Sequence, residues 1–474
     1  MKVFVKVLEF AFLTLICLAL LFISSPQKTV ETVSATMPTQ TLTTATSTVL
    51  TTTAMDTTVT TTTTVKTTPK PTTTTVPVNF TACDDIMFTT ASVSARMGAY
   101  SHTSVMEKLD EATAVKRTGI GDNGWSRIVL RSGKAAYVPT KYLSENRKFP
   151  NGFSYKFDDM QVVNCVSDYT YSRMVIDLNE LTEKYPDKLT VSTIGQSVDG
   201  REIYCALLGK SDAKNCIVVQ GGMHGREHLN PYVIMKQLEY YLTYYDSGKY
   251  GNKTFKEIFE STAVYIIPMT NPDGITISQL GLSGIKNEDV KKNIKSIYES
   301  DKKLKYTTDS FNEYLRKWKA NANGVDLNRN YKKGFGIKAK RNTFSARDYR
   351  GSEPFSEPET KALVEFLSGL SHLKATLSYH SMGSVIYWEC DQSGAYRKQC
   401  LEYVDLIESM TGYRPVGAGG IPYIGSFADH VISQGIPNVT LETGVYDTPL
   451  SKDEFLSIWS ETENCIVATA KHFG

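Results

Sequence analysis

From about Tyr155 to Gly474, short apolar runs of β type alternate with longer amphipathic stretches, and this alternation restricts the fold more than any single residue does. Ala263-Val264-Tyr265-Ile266-Ile267-Pro268-Met269 and Cys216-Ile217-Val218-Val219-Gln220 read as buried strands. Pro231 to Tyr245 and Ser356 to Leu370 have helical spacing, the latter opening with Ser356-Glu357-Pro358-Glu359 as a cap and a proline-compatible first turn. Strand, helix, strand over more than 300 residues predicts one α/β domain with a mixed, largely parallel sheet flanked by helices. Ligands of such sheets collect where strands end and loops begin. The lysine-rich stretch from Lys286 to Lys305 reads as a surface insertion with a solvated helical face.

A chain of 474 residues exceeds what one hydrophobic core organises, so further units are expected upstream. Lys2 and Lys6 precede the apolar run Phe10 to Ile23, the layout of an export signal over residues 1–28. The run is short for a bilayer span of roughly 20 residues, and both a cleaved signal and an uncleaved membrane anchor fit it. Residues 29–80 are dominated by threonine with no periodic apolar face, the composition of a disordered, extended linker. The expected location is therefore extracellular or at the cell surface. Over residues 82–146, short β-rich runs alternate with turn signals such as Gly121-Asp122-Asn123-Gly124, which predicts a small β-barrel. Ser92-Val93-Ser94-Ala95-Arg96, Asn123-Gly124-Trp125 and Ala136-Tyr137-Val138-Pro139 resemble the bacterial SH3-like domain, and that likeness implies binding to cell-wall material. Trp125 and Tyr137 read more readily as core than as a ligand platform.

The formal charge of +2, from 52 basic and 50 acidic residues, gives no reason to expect a nucleic-acid partner. Eight cysteines include no Cys-x-x-Cys pair, which excludes a structural zinc of that kind. Export permits disulfides, and Cys390 with Cys400 or Cys205 with Cys216 are near in sequence; buried free thiols fit equally well.

The chemistry lies at the strand ends of residues 155–474. His224 and Glu227 stand three apart after the strand ending at Gln220, a spacing that lets both side chains converge if the chain turns into a helix there. Alone, His-x-x-Glu is a weak signal. It is followed, in order, by Asn271-Pro272-Asp273-Gly274, Gly324-Val325-Asp326-Leu327-Asn328-Arg329-Asn330, His380-Ser381 and Leu441-Glu442-Thr443-Gly444, and preceded by Ile194-Gly195-Gln196-Ser197-Val198-Asp199-Gly200-Arg201. This ordered set resembles the M14 family of zinc carboxypeptidases from residue 155 to 474.

The resemblance implies one Zn²⁺ held by His224, Glu227 and His380, with a water completing the shell. It makes Glu442 the general base, able to take a proton from that water and pass it to the leaving amine. Arg226 is expected to face the oxyanion, and Asn328 with Arg329 to grip a substrate carboxylate, since a guanidinium donates two parallel hydrogen bonds. Asp326 and Asn330 are read as shaping that loop. His228, four residues from His224, would suit a metal-binding helix face, but the sequence lacks the His-Glu-x-x-His pattern.

Beside these matches the chain departs from the family's pattern in places. Where members place an oxyanion arginine this chain has Lys319, so Lys319, nearby Arg316 or Arg226 alone takes that role. Tyr423 is the candidate for the family's mobile tyrosine. Ala428 and Asp429 are expected to line the specificity pocket, Asp429 either meeting a cationic group such as a diaminopimelate amine or serving in a structural pair. Met382 after His380-Ser381, with Tyr387-Trp388, looks more like bacterial members that cleave peptidoglycan stem peptides. The expectation is an exported metallocarboxypeptidase acting on such peptides next to a diamino acid, of the γ-D-glutamyl-diaminopimelate type. The alternatives are a secreted carboxypeptidase trimming peptides in general and an inactive wall-binding module.

Overall fold

The computed structural model describes residues 30–31, 77–164, 168–417 and 423–474. The expected signal or anchor and nearly all of the threonine-rich linker lie outside the described residues. Among those described, no helix is long and apolar enough to cross a membrane.

The first unit is an antiparallel sheet of β1 (Phe80–Thr89), β2 (Val93–Arg96), β3 (Val105–Leu109), β4 (Ala114–Gly121), β5 (Trp125–Val129) and β6 (Ala135–Pro139). Its order is β1-β4-β5-β6-β2-β3, and Leu143–Ser144 returns to pair with β1. Alternate residues of β5 and β6 point inward, so Ile128, Ala136 and Val138 are fully buried with Ala95 and Val115. Trp125 and Tyr137 pack against the small buried group of Val78, Phe80 and Ala99, in keeping with a packing role.

The larger unit is built on an eight-stranded sheet of β7 (Leu189–Gln196), β8 (Glu202–Leu208), β9 (Asn215–Gln220), β10 (Thr262–Ile267), β11 (Leu373–His380), β12 (Val385–Tyr387), β13 (Arg414–Val416) and β14 (Asn438–Glu442). The order is β7-β8-β10-β9-β11-β14-β12-β13. The four central strands β10, β9, β11 and β14 run parallel, while β7, β8 and β12 pair antiparallel outside them. The sheet is thus mixed, with a parallel centre. β9 and β11 are apolar on both faces because helices cover both: Ile217, Val219, Ala375 and Leu377 pack with α2 (Leu229–Thr243), whereas Val218 faces α7 (Pro358–Ser368) through Leu363.

Two local expectations need correction. The cap of α7 is Glu357, with no side-chain cap bond; the Ser356 hydroxyl instead donates to Glu357 Oε1 at 2.7 Å. The lysine-rich stretch forms α5 (Glu288–Lys303), which is not merely a solvated insertion. Val290, Ile294, Ile297 and Tyr298 recur at helical spacing and are buried against Trp318 and Tyr314, so one face belongs to the core.

The two units share a core. Phe88 and Ala114 of the small sheet join Tyr155, Phe157 and Trp459 in one apolar cluster, and the Phe88 and Tyr155 rings meet edge-on at 5.4 Å. Around this contact the Arg131 guanidinium donates to both oxygens of Glu461 at 2.8 and 3.1 Å and lies 3.3 Å from Glu454. Arg147 donates to Glu463 at 3.0 Å, and the Ala114 amide donates to the Ser460 hydroxyl at 2.8 Å. All six described cysteines, including Cys205, Cys216, Cys390 and Cys400, are free thiols, so neither sequence-near pairing forms.

Candidate metal centre

His224, Glu227, His380 and Glu442 sit at the C-terminal end of a parallel strand or in the turn beyond it, while Lys319, Asp326, Asn328 and Arg329 come from the irregular segment that precedes α7. The chain leaves β9 through Gly221-Gly222 and carries His224 and Glu227 in the short turn before α2. That turn passes so close to the Asn271–Gly274 turn that a Cβ at Gly225 would lie 2.3 Å from the Gly274 carbonyl oxygen, so only glycine fits. The Asn271 amide donates to Met223 O at 3.1 Å and Ala320 O at 3.0 Å and accepts from Gly274 N at 2.8 Å, tying three motif segments together. His380 ends β11 and Glu442 ends β14, directly opposite each other across the parallel pair.

The convergence is tight. His224 Nδ1 is 2.8 Å from Glu227 Oε1, His380 Nδ1 is 2.9 Å from Glu227 Oε2, and the two Nδ1 atoms are 3.1 Å apart. The three ligand atoms lie within 4.8 Å of one another, and all three residues are buried. Two imidazole nitrogens and a carboxylate drawn together in this way fit a divalent cation with three protein ligands. Burial disfavours the carboxylate of Glu227, yet His224 and His380 overcome this and hold it far below the usual range. His224 is lowered by burial, whereas for His380 the neighbouring Glu227 outweighs burial and raises it.

Behind the ligands stands a residue that sequence reading placed only in loop shaping. Asp326, fully buried, has Oδ1 3.2 Å from His224 Nε2 and Oδ2 2.7 Å from Lys319 Nζ. It accepts from the Asn328 amide at 3.1 Å as well. A carboxylate at this distance favours, through its charge, the ring orientation in which Nδ1 faces the metal. Despite burial, Lys319 and His224 keep it well below the ordinary carboxylate value. The available signal was an acid between apolar Val325 and Leu327, a position where a charge requires a partner. On the other side, Thr443 N donates to His380 O at 2.8 Å, and Thr443, Asn230 and Ser381 brace one another.

The ligands open into a cavity of about 650 Å³ whose walls include Arg226, Lys319, Asn328, Arg329, Lys338, Ala428, Asp429 and Glu442. Glu442 is pushed up to about 7, first by burial and further by Glu227, against the pull of His380, Lys319 and Arg226. Among the described residues the Nε atoms of Arg226 and Arg329 are buried without a hydrogen-bond partner, while Arg329 Nη1 donates to Asn328 O at 2.6 Å. Asn328 Oδ1 accepts the Phe427 amide at 2.9 Å, which joins the arginine loop to α9 (Phe427–Ile432).

Other expectations are redirected. Lys319 reaches the cavity wall, but its ammonium is held by Asp326; Arg316 is turned away and paired with Glu313 at 2.7 Å. Tyr423 is not a wall residue: its hydroxyl donates to Asp391 at 2.7 Å and its ring lies under Lys333 at 4.3 Å. Asp429 serves chiefly as a capping residue of α9, accepting the Ile424 and Ser426 amides at 2.7 and 2.8 Å, with the Cys390 thiol 3.3 Å from its other oxygen. The Ser426 bond closes the capping box at the start of α9, and the Ile424 amide and the Cys390 thiol take up the rest of the carboxylate. His228 is the residue preceding α2 and lines a different cavity, at the seam with the small sheet.

Comparison with known proteins agrees with this geometry. The chain is 28% identical over 311 residues, 65% of its length and 74% of the relative's, to gamma-D-glutamyl-L-diamino acid endopeptidase 1 of Lysinibacillus sphaericus. It is 27% identical over 219 residues, 46% of its length and 45% of the relative's, to mast cell carboxypeptidase A of Homo sapiens. Among solved structures, thrombin activatable fibrinolysis inhibitor superposes with a TM-score of 0.51 at 20% identity, covering 67% of this chain and 81% of that one, a likeness of fold. The zinc carboxypeptidase family model, Peptidase_M14, matches residues 174–462, and with the His224, Glu227 and His380 centre in place the chain belongs to the M14 family of zinc carboxypeptidases and is a zinc metallopeptidase.

Proposed function

We propose that this enzyme is exported and hydrolyses peptide bonds in peptidoglycan stem peptides next to a diamino acid, of the γ-D-glutamyl-diaminopimelate type. The observation that carries the reaction is the meeting of His224, Glu227, His380 and Glu442 at one end of a cavity that also holds two arginines with unpartnered Nε atoms. The substrate class is supported by the 28% identity to an endopeptidase whose name specifies a γ-D-glutamyl-L-diamino acid bond. Export is supported by Lys2 and Lys6 ahead of the apolar run Phe10 to Ile23, and membrane anchoring by the same segment if it is kept. The SH3-like motifs of residues 82–146 support attachment to the cell wall.

Zinc bound by His224, Glu227 and His380 would supply Lewis-acid chemistry to a peptide carbonyl and to water. Glu442, with a proton affinity near neutrality, is suited to take a proton from the attacking water and deliver it to the departing amine. Arg226 faces the same space and offers charge to the oxygen that becomes anionic, while Asn328 and Arg329 hold a substrate carboxylate. Asp326 and Lys319 keep His224 in place from behind.

A second reading, general trimming of C-terminal residues, is favoured by the Asn328 and Arg329 pair, which suits any terminal carboxylate, and by the likeness to mast cell carboxypeptidase A. Mass spectrometry of purified peptidoglycan treated with the protein, with and without a chelator, tests both. Chelator-sensitive release of fragments cut beside the diamino acid is expected. Intact stem peptides together with cleavage of ordinary peptides would transfer the assignment to the second reading.

A further inference from the structure

The loop that follows Arg329 is the most basic part of the molecule. Residues 331–350 contain Lys332, Lys333, Lys338, Lys340, Arg341, Arg347 and Arg350 against a single acid, Asp348, a net charge of +6 in a chain whose total is +2. The other residues therefore sum to −4. Only Arg347 of the seven has a carboxylate partner among the described residues, Asp348 at 3.2 Å. Arg341 and Arg350 lie on the rings of Tyr306 and Phe335 at 3.5 and 5.4 Å, and Lys333 on Tyr423 at 4.3 Å. Like charges concentrated this way repel one another, and such an arrangement is offset when an anion settles among them.

The loop is fixed to the wall of the reaction cavity. Tyr331 N donates to Gly425 O at 3.1 Å and Gly425 N to Lys333 O at 3.0 Å, and Gly425 stands between the wall residues Ile424 and Ser426. Lys338 itself lines that cavity and is exposed outward, as are Lys332 and Lys340. A polymer leaving the cavity past Lys338 would run across this surface.

We propose that residues 332–350 form a binding surface for a carboxylate-rich flank of the peptide substrate, outside the bond that is cut. The inference rests on the peptidase reading for the presence of a peptide in the cavity, and it does not depend on the peptide coming from peptidoglycan. Placement at the cavity wall favours substrate over a lipid surface, although exposed Ile337 and Phe344 on the same loop make anionic membrane the competing partner to be excluded.

Fluorescence anisotropy of labelled hexaglutamate with the intact protein tests it, with labelled hexaglutamine, inorganic polyphosphate and vesicles containing phosphatidylglycerol as comparison probes. Hexaglutamate is expected to bind about tenfold more tightly than hexaglutamine and to lose about tenfold between 50 and 200 mM salt, as charge-driven association does. The variant Lys332→Gln/Lys338→Gln/Lys340→Gln should bind hexaglutamate about tenfold more weakly, and Lys214→Gln/Lys295→Gln/Lys303→Gln, which removes equal charge elsewhere, should bind as the parent does. Equal weakening in both variants would overturn the proposal. Tighter binding of polyphosphate than of hexaglutamate, or loop-dependent binding to the vesicles alone, would overturn it as well. Should hexaglutamate bind through the loop while peptidoglycan stays intact, the loop assignment stands and only the stem-peptide reading fails.

Discussion

Arg131, at the seam between the small sheet and the peptidase body, meets two carboxylates, Glu461 and the fully buried Glu454, whereas among the described residues Arg226 and Arg329 in the cleft form no ion pair with a carboxylate. Both regions place guanidinium groups in partly dry surroundings, where an unpaired polar group costs about 1–3 kcal/mol. At the seam the charge is met by carboxylates of the same chain, and the contact is structural. In the cleft no carboxylate among the described residues offsets the arginine charge, which leaves it available to an anionic substrate. The same contrast separates Lys319, held by Asp326, from Lys338, which forms no ion pair among the described residues. Partnered cations shape this molecule, and unpartnered ones mark where something is bound.

Four experiments break or sharpen that contrast. Glu442→Gln should lower kcat by about 10²–10⁴-fold while zinc content, measured by atomic absorption, stays at one ion per chain; loss of the metal together with activity would make Glu442 a ligand or a structural acid. Arg131→Ala leaves Glu454 buried without its cation and should cost about 3 kcal/mol in denaturant unfolding, with kcat/KM on a short peptide unchanged. An activity loss without a stability loss would erase the distinction between seam and cleft. Asp326→Asn should weaken zinc affinity or activity about 10–100-fold through misorientation of His224, and extended X-ray absorption should show an altered ligand shell. Unaltered zinc affinity and activity would return Asp326 to loop shaping alone.

The last experiment concerns the pH dependence of a buried acid away from the metal. Glu359 is pushed up to about 8 from an ordinary 4.5, chiefly by burial and next by Asp273, against its hydrogen bond from Asn321. The folded chain therefore keeps a proton on Glu359 that the unfolded chain releases above 4.5. Stability should fall as pH rises from about 4.5 towards 8, by at most about 1.4 kcal/mol per pH unit from this group, and this component should level off beyond. Comparing urea unfolding of the parent and Glu359→Gln at pH 5, 6, 7 and 8 checks the sign, and parallel curves would remove Glu359 as the source.

Much of the architecture is legible from residue patterns because burial on both faces leaves continuous apolar runs. The Cys216–Gln220 reading corresponds to β9 and the Pro231–Tyr245 reading to α2, each within two residues. α5 was harder: its lysines dominate the composition, while the buried stripe of Val290, Ile294 and Ile297 acquires meaning only when Trp318 packs against it. The ligand segments could be found because glycines, prolines and a fixed order surround them. The contacts of Tyr423 and Asp429 are not legible in the sequence, since adjacency to Gly425-Ser426 does not reveal whether a side chain faces the cavity, Asp391 or a helix terminus.

The order of apolar runs and the identity of the His, Glu and Arg residues determined that a mixed α/β sheet would carry acid, base and metal chemistry at its strand ends, because period and donor type are local properties of a chain. Which cations would be neutralised was decided only by tertiary structure. Asp326 lies 102 residues beyond His224 and Glu461 lies 330 beyond Arg131, and the strength of a charge depends on what folding brings within a few ångströms of it.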